Sequence, residues 1–266
     1  MSAEPVDSSI DIRQSRPLRL QSPSVVELLD AWERALSQSP VQRALTMLSA
    51  ACPNATVAEL ARLSIGRRDS GLLSLRERLF GPQLMSLSNC PGCQERLELA
   101  FNVSDVRAPA VSFEVDNTAP LSLELNGYEI TFRTPNSFDV MALDETRDVA
   151  DNSQLILSRC LISVKGPNGE NSAAQLPANV IEAITEGMSQ ADPQADVQLA
   201  LTCPQCEHQW QASFDIVSFL WNEIDVWASR FLREVHIIAS AYKWSEAEIF
   251  ALTPWRRQMY LEMIGR

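Results

Sequence analysis

Glycine is scarce in this chain, nine among 266 residues. Neither Gly-x-Gly-x-x-Gly nor a P-loop occurs, so the glycine-built phosphate cradles of nucleotide-binding folds are missing. Histidine is scarcer still, His208 and His236 being the two. Neither stands near a Ser or Cys nucleophile pattern, which argues against hydrolysis through an activated nucleophile. No apolar run approaches the roughly 20 residues that a membrane span needs. Basic charge is in deficit as well: 22 Lys and Arg face 34 Asp and Glu, for a net charge of −12. Nucleic acid and anionic membranes select the opposite sign, so neither is an expected partner. The opening run MSAEPVDSSIDIRQSR has early acids and no apolar core, unlike a secretory signal. The expected compartment is therefore the cytoplasm, where thiols stay reduced and favour metal ligation over disulfides.

What the chain does have is a repeat. Cys90-Pro91-Gly92-Cys93 is followed by Leu97, Phe101, Asn102 and Val103. Cys203-Pro204-Gln205-Cys206 is followed by Trp210, Phe214, Asp215 and Ile216, every member 113 positions further on. Each copy reads as a strand–knuckle–strand unit with a cysteine pair at its tip, and two such tips facing each other make a zinc ribbon. Four thiolates saturate zinc and leave no open position, so the role is structural. The expected ligands are Cys90, Cys93, Cys203 and Cys206, holding one Zn2+ per chain. Iron in a rubredoxin-like site uses the same four-thiolate pattern, and spacing does not separate the two metals.

A CxxC redox enzyme of glutaredoxin type is a competing reading. There the pair opens a helix whose N-terminus lowers the thiol pKa, whereas both pairs here run on into strand-like alternation. Cys52 and Cys160 fall in helical patterns with no partner at ligand spacing, and read as buried thiols. His208, two residues after Cys206, could stand in for a ligand; with four cysteines at hand it reads as a neighbour. His236 lies beside an apolar helical stripe and reads as packed or half-exposed. The basic pairs Arg67-Arg68 and Arg256-Arg257 read as solvated or protein-contact residues.

The fold class reads as α+β. Ser24 opens a helix with Val25, Leu28, Leu29, Trp32 and Leu36 on one face. Pro40 restarts the chain, Val57 opens a short third helix, and a fourth spans about 67–80 before Gly81-Pro82. Leu97, Leu99, Phe101 and Val103 alternate as in a half-buried strand. Residues 106–120 read as irregular. Asn126-Gly127 between Leu121–Leu125 and Tyr128–Phe132 marks a hairpin. Helices are expected at about 136–147, 152–161 and 178–189, with a loop over 165–171. Strands enter and leave the second pair at 197–202 and 209–216. A long stripe from Phe219 to Ile238 follows, then a capping box at Ser245 and an N-cap at Thr253-Pro254.

Three groups of residues together resemble the T-even-phage-type baseplate protein family. The first is Ile65-Gly-Arg-Arg-Asp69 with Leu72–Gly81 and the first cysteine pair. The second is Asp196–Cys206 with Phe219–Glu223. The third is Trp227 with Leu232–His236, Ala241–Ile249 and Arg256–Tyr260. The resemblance implies a non-enzymatic baseplate component or baseplate-assembly factor of a contractile phage tail or related injection system. Its partners would be other baseplate or tail proteins. The alternative is a zinc-ribbon nucleic-acid-binding or transcription-associated protein, which would place basic or aromatic residues around the knuckles. Instead the tips carry Gly92, Gln94, Glu95, Gln205 and Glu207, with Arg96 the nearby cation. The expected organisation is a disordered or extended 1–22, a helical 23–82, ribbon halves at 83–105 and 196–216, an inserted hairpin-plus-helices subdomain at 106–195, and a helical 217–266.

Overall fold

The computed structural model describes residues 18–109, 113, 119–144, 146–167, 169–170 and 176–265. Its first four helices are α1 (Val25–Ala35), α2 (Pro40–Ala51), α3 (Val57–Arg62) and α4 (Ile65–Phe80). Each begins at a Ser or Thr whose hydroxyl accepts from a backbone N–H of the first turn: Ser24, Ser39, Thr56 and Ser64. In the first three, Glu27, Gln42 and Glu59 return the bond to the cap's own N–H, so two orphan donors are satisfied at each end. The fourth helix starts two residues before the expected Arg67, because Ser64 serves as its cap. It stops at Gly81, whose φ of 86° lies in the left-handed region.

Two antiparallel hairpins follow the repeat. β1 (Gln83–Asn89) pairs with β2 (Arg96–Asn102), and β7 (Gln198–Thr202) pairs with β8 (Gln209–Ser213). The strand expected to run through Val103 ends at Asn102. There the chain turns into the short α5 (Val103–Val106), with both valines buried. Likewise Ile216 does not end a strand but opens α9 (Ile216–Tyr242), about 40 Å long at 1.5 Å per residue.

Between the hairpins, β3 (Leu121–Leu125), β4 (Tyr128–Phe132), β5 (Leu161–Gly166) and β6 (Gly169–Glu170) form one antiparallel sheet in sequence order. With them come α6 (Ser137–Met141), α7 (Val149–Cys160) and α8 (Ala178–Ala191). Asn126 and Gly127 both take positive φ, 52° and 79°, as a two-residue hairpin turn requires. The sequence reading missed β5: Leu161–Lys165 pairs with β4 where a helix end and a loop were expected. Periodicity fails here because strand and helix abut with no spacer, Cys160 closing α7 and Leu161 opening β5. The expected helix over 136–147 reduces to α6. Ile130, Phe132, Leu157, Val164, Val180 and Ile184 give this segment a core of its own.

The helices before and after the hairpins share another core. Leu28, Leu45, Leu48, Leu60, Leu72 and Leu75 pack with Ile216, Leu220 and Ile224 of α9. Arg76, buried near the end of α4, makes a two-pronged bond to Glu223 of α9, 2.8 and 2.7 Å. Trp32 donates to Asp225 at 2.8 Å. The far half of α9 receives α10 (Glu246–Phe250) and α11 (Pro254–Ile264), with Phe231, Ile238 and Ile249 buried between them.

Of the segment expected to be disordered or extended, residues 1–17 lie outside the described residues. Leu20 is buried, and the Arg78 guanidinium donates to its carbonyl at 2.8 Å. Most of the stretch 106–120, and part of the expected loop at 165–171, also lie outside the described residues.

Candidate metal centre

Both knuckles are built alike. The Cys90 N–H donates to the Glu95 carbonyl at 2.8 Å, and Gln94 N–H returns to the Cys90 carbonyl at 2.9 Å. In the second copy Cys203 donates to His208 at 2.9 Å, and Glu207 donates to Cys203 at 2.9 Å. Gln94 and Glu207 hold matching left-handed φ angles of 64° and 59°. These tight turns aim each cysteine pair off the end of its hairpin.

The four sulfurs converge. Cys90 Sγ lies 3.6 Å from Cys206 Sγ, and Cys93 Sγ lies 3.6 Å from Cys203 Sγ. All four lie within 4.8 Å of one another. A tetrahedron with metal–sulfur bonds of about 2.3 Å has edges of about 3.8 Å, so the set could hold one metal ion with little adjustment. Cys90 and Cys203 are fully buried while Cys93 and Cys206 are exposed, so the cluster has an inner and an outer side. All four cysteines are free thiols.

Their ionisation is uneven. Burial opposes the Cys90 thiolate, but the Cys93 and Gly92 N–H groups and the Cys206 and Cys203 thiols outweigh it, and its pKa falls to about 7. For Cys93 the Glu95 N–H favours the anion, yet the neighbouring thiols push it up to about 12. Cys206 is also raised: the His208 N–H and the Cys93 sulfur favour its anion, but burial and the Cys90 and Cys203 sulfurs outweigh them. A dication among the sulfurs supplies the opposite charge that the set lacks, which is the chemistry such a donor cluster fits. Neither pair opens a helix, so the helix-terminus activation of a glutaredoxin-type thiol is not built here.

Around the sulfurs, Leu97, Leu99 and Trp210 close the apolar side. His208 is not part of the sulfur cluster. It stacks on Trp210 with centroids 6.0 Å apart, and its ring reaches to 3.2 Å from where a Cβ on Gly92 would stand. Glycine before the second cysteine of the first pair thus makes room for the other knuckle. Phe101 and Phe214, equivalent members of the repeat, meet edge to face at 5.6 Å. The two copies face each other with this like pair in contact, while the 3.6 Å sulfur approaches join the first cysteine of each pair to the second of the other.

Other expectations fare unevenly. Cys52 and Cys160 are buried as expected, and burial pushes both thiols up to about 11. His236 is exposed. Arg67 and Arg68, read as solvated or protein-contact residues, are buried within the chain instead. Arg67 donates to the Phe113 carbonyl at 3.2 Å, and Arg68 pairs with Asp69 at 2.8 Å and reaches Ser137. Apolar periodicity does not reveal a buried guanidinium whose partners lie 46 and 69 residues away. Sequence reasoning also missed Asp139. It is fully buried and held by Arg133 at 2.6 and 3.0 Å and by Arg159 at 2.9 Å. Burial alone would raise its pKa, but these bonds and the Asn136 N–H keep it below the usual carboxylate range. An open cleft of about 290 Å³ between α2, α4 and α9 is lined by Arg68, Asp69, Ser213 and Asp215, among others, but by no histidine, cysteine or lysine. It offers no nucleophile–base pair.

Compared with known families, residues 27–221 match the model described as T4 bacteriophage base plate protein. The chain belongs to that family. The match includes both cysteine pairs, both hairpins and the start of α9. It supports a phage-baseplate-related structural role. No curated protein and no solved structure matches the chain. Among the described residues, no helix is long and apolar enough to cross a membrane.

Proposed function

We propose that this member of the baseplate family is a non-enzymatic component, or assembly factor, of the baseplate of a contractile phage tail or injection particle. In this reading it is made in the cytoplasm and works by contact with other baseplate or tail proteins. Cys90, Cys93, Cys203 and Cys206 would hold one structural Zn2+, and residues 106–195 would be a subdomain inserted between the halves of a zinc ribbon. The observation that carries the reading is the family match over 27–221, which spans the four-sulfur cluster. Zinc would link segments 113 positions apart and leave no site open for chemistry. Four sulfurs from strand-borne knuckles also suit iron, and colour separates the two, since a four-thiolate ferric site absorbs visible light and zinc does not.

The test has two parts. Protein purified without oxygen should carry one zinc per chain by elemental analysis, and it should co-purify with baseplate subunits when the neighbouring genes are co-expressed. Metal-free protein with freely titrating thiols would overturn the zinc assignment. Failure to associate with any tail or baseplate subunit would overturn the baseplate role.

A further inference from the structure

The four cysteines are not equivalent, and the difference follows the repeat. In each pair the first cysteine is buried and the second exposed: Cys90 and Cys203 lie inside, Cys93 and Cys206 outside. Each 3.6 Å sulfur approach joins an exposed thiol of one hairpin to a buried thiol of the other, Cys206 to Cys90 and Cys93 to Cys203. An accessible thiol that an oxidant reaches first, beside a second thiol that resolves it, is the arrangement of a redox-sensitive cysteine pair. Here it occurs twice.

Contacts that involve no sulfur hold the hairpins opposed. At their bases Leu84, Val197 and Leu199 pack into the core shared by the flanking helices. Phe101 meets Phe214, and the His208 ring of one knuckle lies over Gly92 of the other. The thiols therefore stay at close range whether or not a metal sits among them. Sulfurs 3.6 Å apart bond at about 2.05 Å, so each pair has about 1.5 Å to close.

We propose that Cys206 with Cys90, and Cys93 with Cys203, are two hydroperoxide-oxidisable pairs that become disulfides once the metal is lost, so that a covalent clasp replaces the metal one. The exposed Cys206 thiol attacks hydrogen peroxide, breaking the O–O bond to give the sulfenic acid and one water. The Cys90 sulfur then displaces the sulfenic hydroxyl, which leaves with the Cys90 thiol proton as a second water. Two thiols lose two electrons and one peroxide is reduced to two waters. Cys93 and Cys203 repeat the steps with a second peroxide. The two bonds span 116 and 110 positions and tie the same two hairpins that the metal would tie. The inference rests on the sulfur geometry and not on which metal is bound. The baseplate reading adds a use, since a particle released from the cytoplasm leaves behind the reductants that keep thiols free.

The experiment uses the full chain, purified without oxygen, with its metal content measured first. Metal is then removed by chelator and the chain is treated with a small excess of hydrogen peroxide. Thiols titrated in denaturant should fall from six to two, leaving Cys52 and Cys160. Mass spectrometry of non-reduced peptides should find the segment with Cys90 and Cys93 joined to the segment with Cys203 and Cys206. In Cys206→Ser, Cys93 should bond to Cys203 and leave Cys90 free. In Cys93→Ser, Cys90 should bond to Cys206 and leave Cys203 free. The oxidised metal-free chain should melt above the reduced metal-free chain, and dithiothreitol should abolish the difference. Bonds within one knuckle, bonds between chains, or a Cys90–Cys203 bond in either variant would overturn the proposal. So would thiols that remain at six, or sulfinic acid at Cys93 and Cys206 without any crosslink. Each of these results leaves the zinc assignment standing, because that assignment is read from the metal content measured beforehand.

Discussion

In the first cysteine hairpin the outward positions include Met85, Leu87 and Ala100; their equivalents in the second are Gln198, Ala200 and Ser213. Met85 and Leu87 are 61% and 54% exposed. The inward positions behave otherwise. Leu84 and Val197, Leu97 and Trp210, and Phe101 and Phe214 are apolar in both copies and pack toward the sulfurs or the helical core. Alternation along a strand separates the two demands, since successive side chains face opposite sides. Sharing is confined to these contact positions, since two other inward pairs differ, Ser86 against Leu199 and Ser88 against Leu201. The copies differ again in what they launch. Val103 opens a four-residue helix and Ile216 one of 27 residues, both from a buried first position.

The largest way to break this comparison is at the sulfurs. Cys90→Ser and Cys203→Ser should abolish stoichiometric metal and cost on the order of 5 kcal/mol. That is short of the ~10 kcal/mol of isolated zinc modules, because α1–α4 and α9 hold a core without the metal. Cys93→Ser and Cys206→Ser, at exposed sulfurs, should cost less. Elemental analysis and thermal melting check both, and far-UV dichroism should retain most of the helix signal.

The aromatic contact comes next. Phe214→Ala should cost about 3 kcal/mol and Phe101→Ala about 2 kcal/mol in denaturant unfolding. The asymmetry arises because Phe214 also meets Phe219 at 5.6 Å, on the helix that only the second copy launches at length.

A pH measurement sharpens the difference between Asn102 and its counterpart Asp215. Burial, opposed by Arg68, raises the Asp69 carboxyl to about 6, and the charges of Asp215 and Asp192 add to the shift. A carboxyl raised in the folded state contributes stability that is full below its ordinary pKa of 3.8 and is lost as pH rises through about 6. Wild type should therefore gain on Asp69→Asn as pH falls from 7 to 4, by on the order of 2 kcal/mol. A parallel pair of stability–pH curves would refute the assignment. Asp139, held below the ordinary range, has the opposite sign: its contribution is present above the unfolded pKa and fades as pH falls through the folded one.

The smallest expected effect is at the outer faces. Met85→Gln with Leu87→Ala, which copies the second hairpin onto the first, should change melting stability by less than about 0.5 kcal/mol. A larger change would mean that the outward residues also support the fold.

Much of this organisation was legible beforehand, and for local reasons. The caps at Ser24, Ser245 and Thr253, the Asn126-Gly127 turn and the stop at Gly81 are each short-range chemistry. The cysteine spacing pointed to four residues whose sulfurs do converge. What escaped was non-local. β5 is a strand because β4 offers it a ladder, and Arg67, Arg68 and Asp139 are buried with partners outside their own helix turns, Phe113, Ser137 and Arg159. Val103 and Ile216 fit the strand alternation, but strand pairing ends before them, at Asn102 and at Ser213.

The sequence by itself determined the duplicated knuckle, the four candidate ligands, most helix starts and the excess of acid, since these reside in residue type and short spacing. Tertiary structure decided that like faces of the two hairpins meet, through Phe101 on Phe214 and His208 over Gly92. It also decided that the helices before and after them form one core, tied by Arg76 and Glu223. Burial and long-range pairing are properties of where segments meet, and that depends on the whole chain closing at once rather than on any window of it.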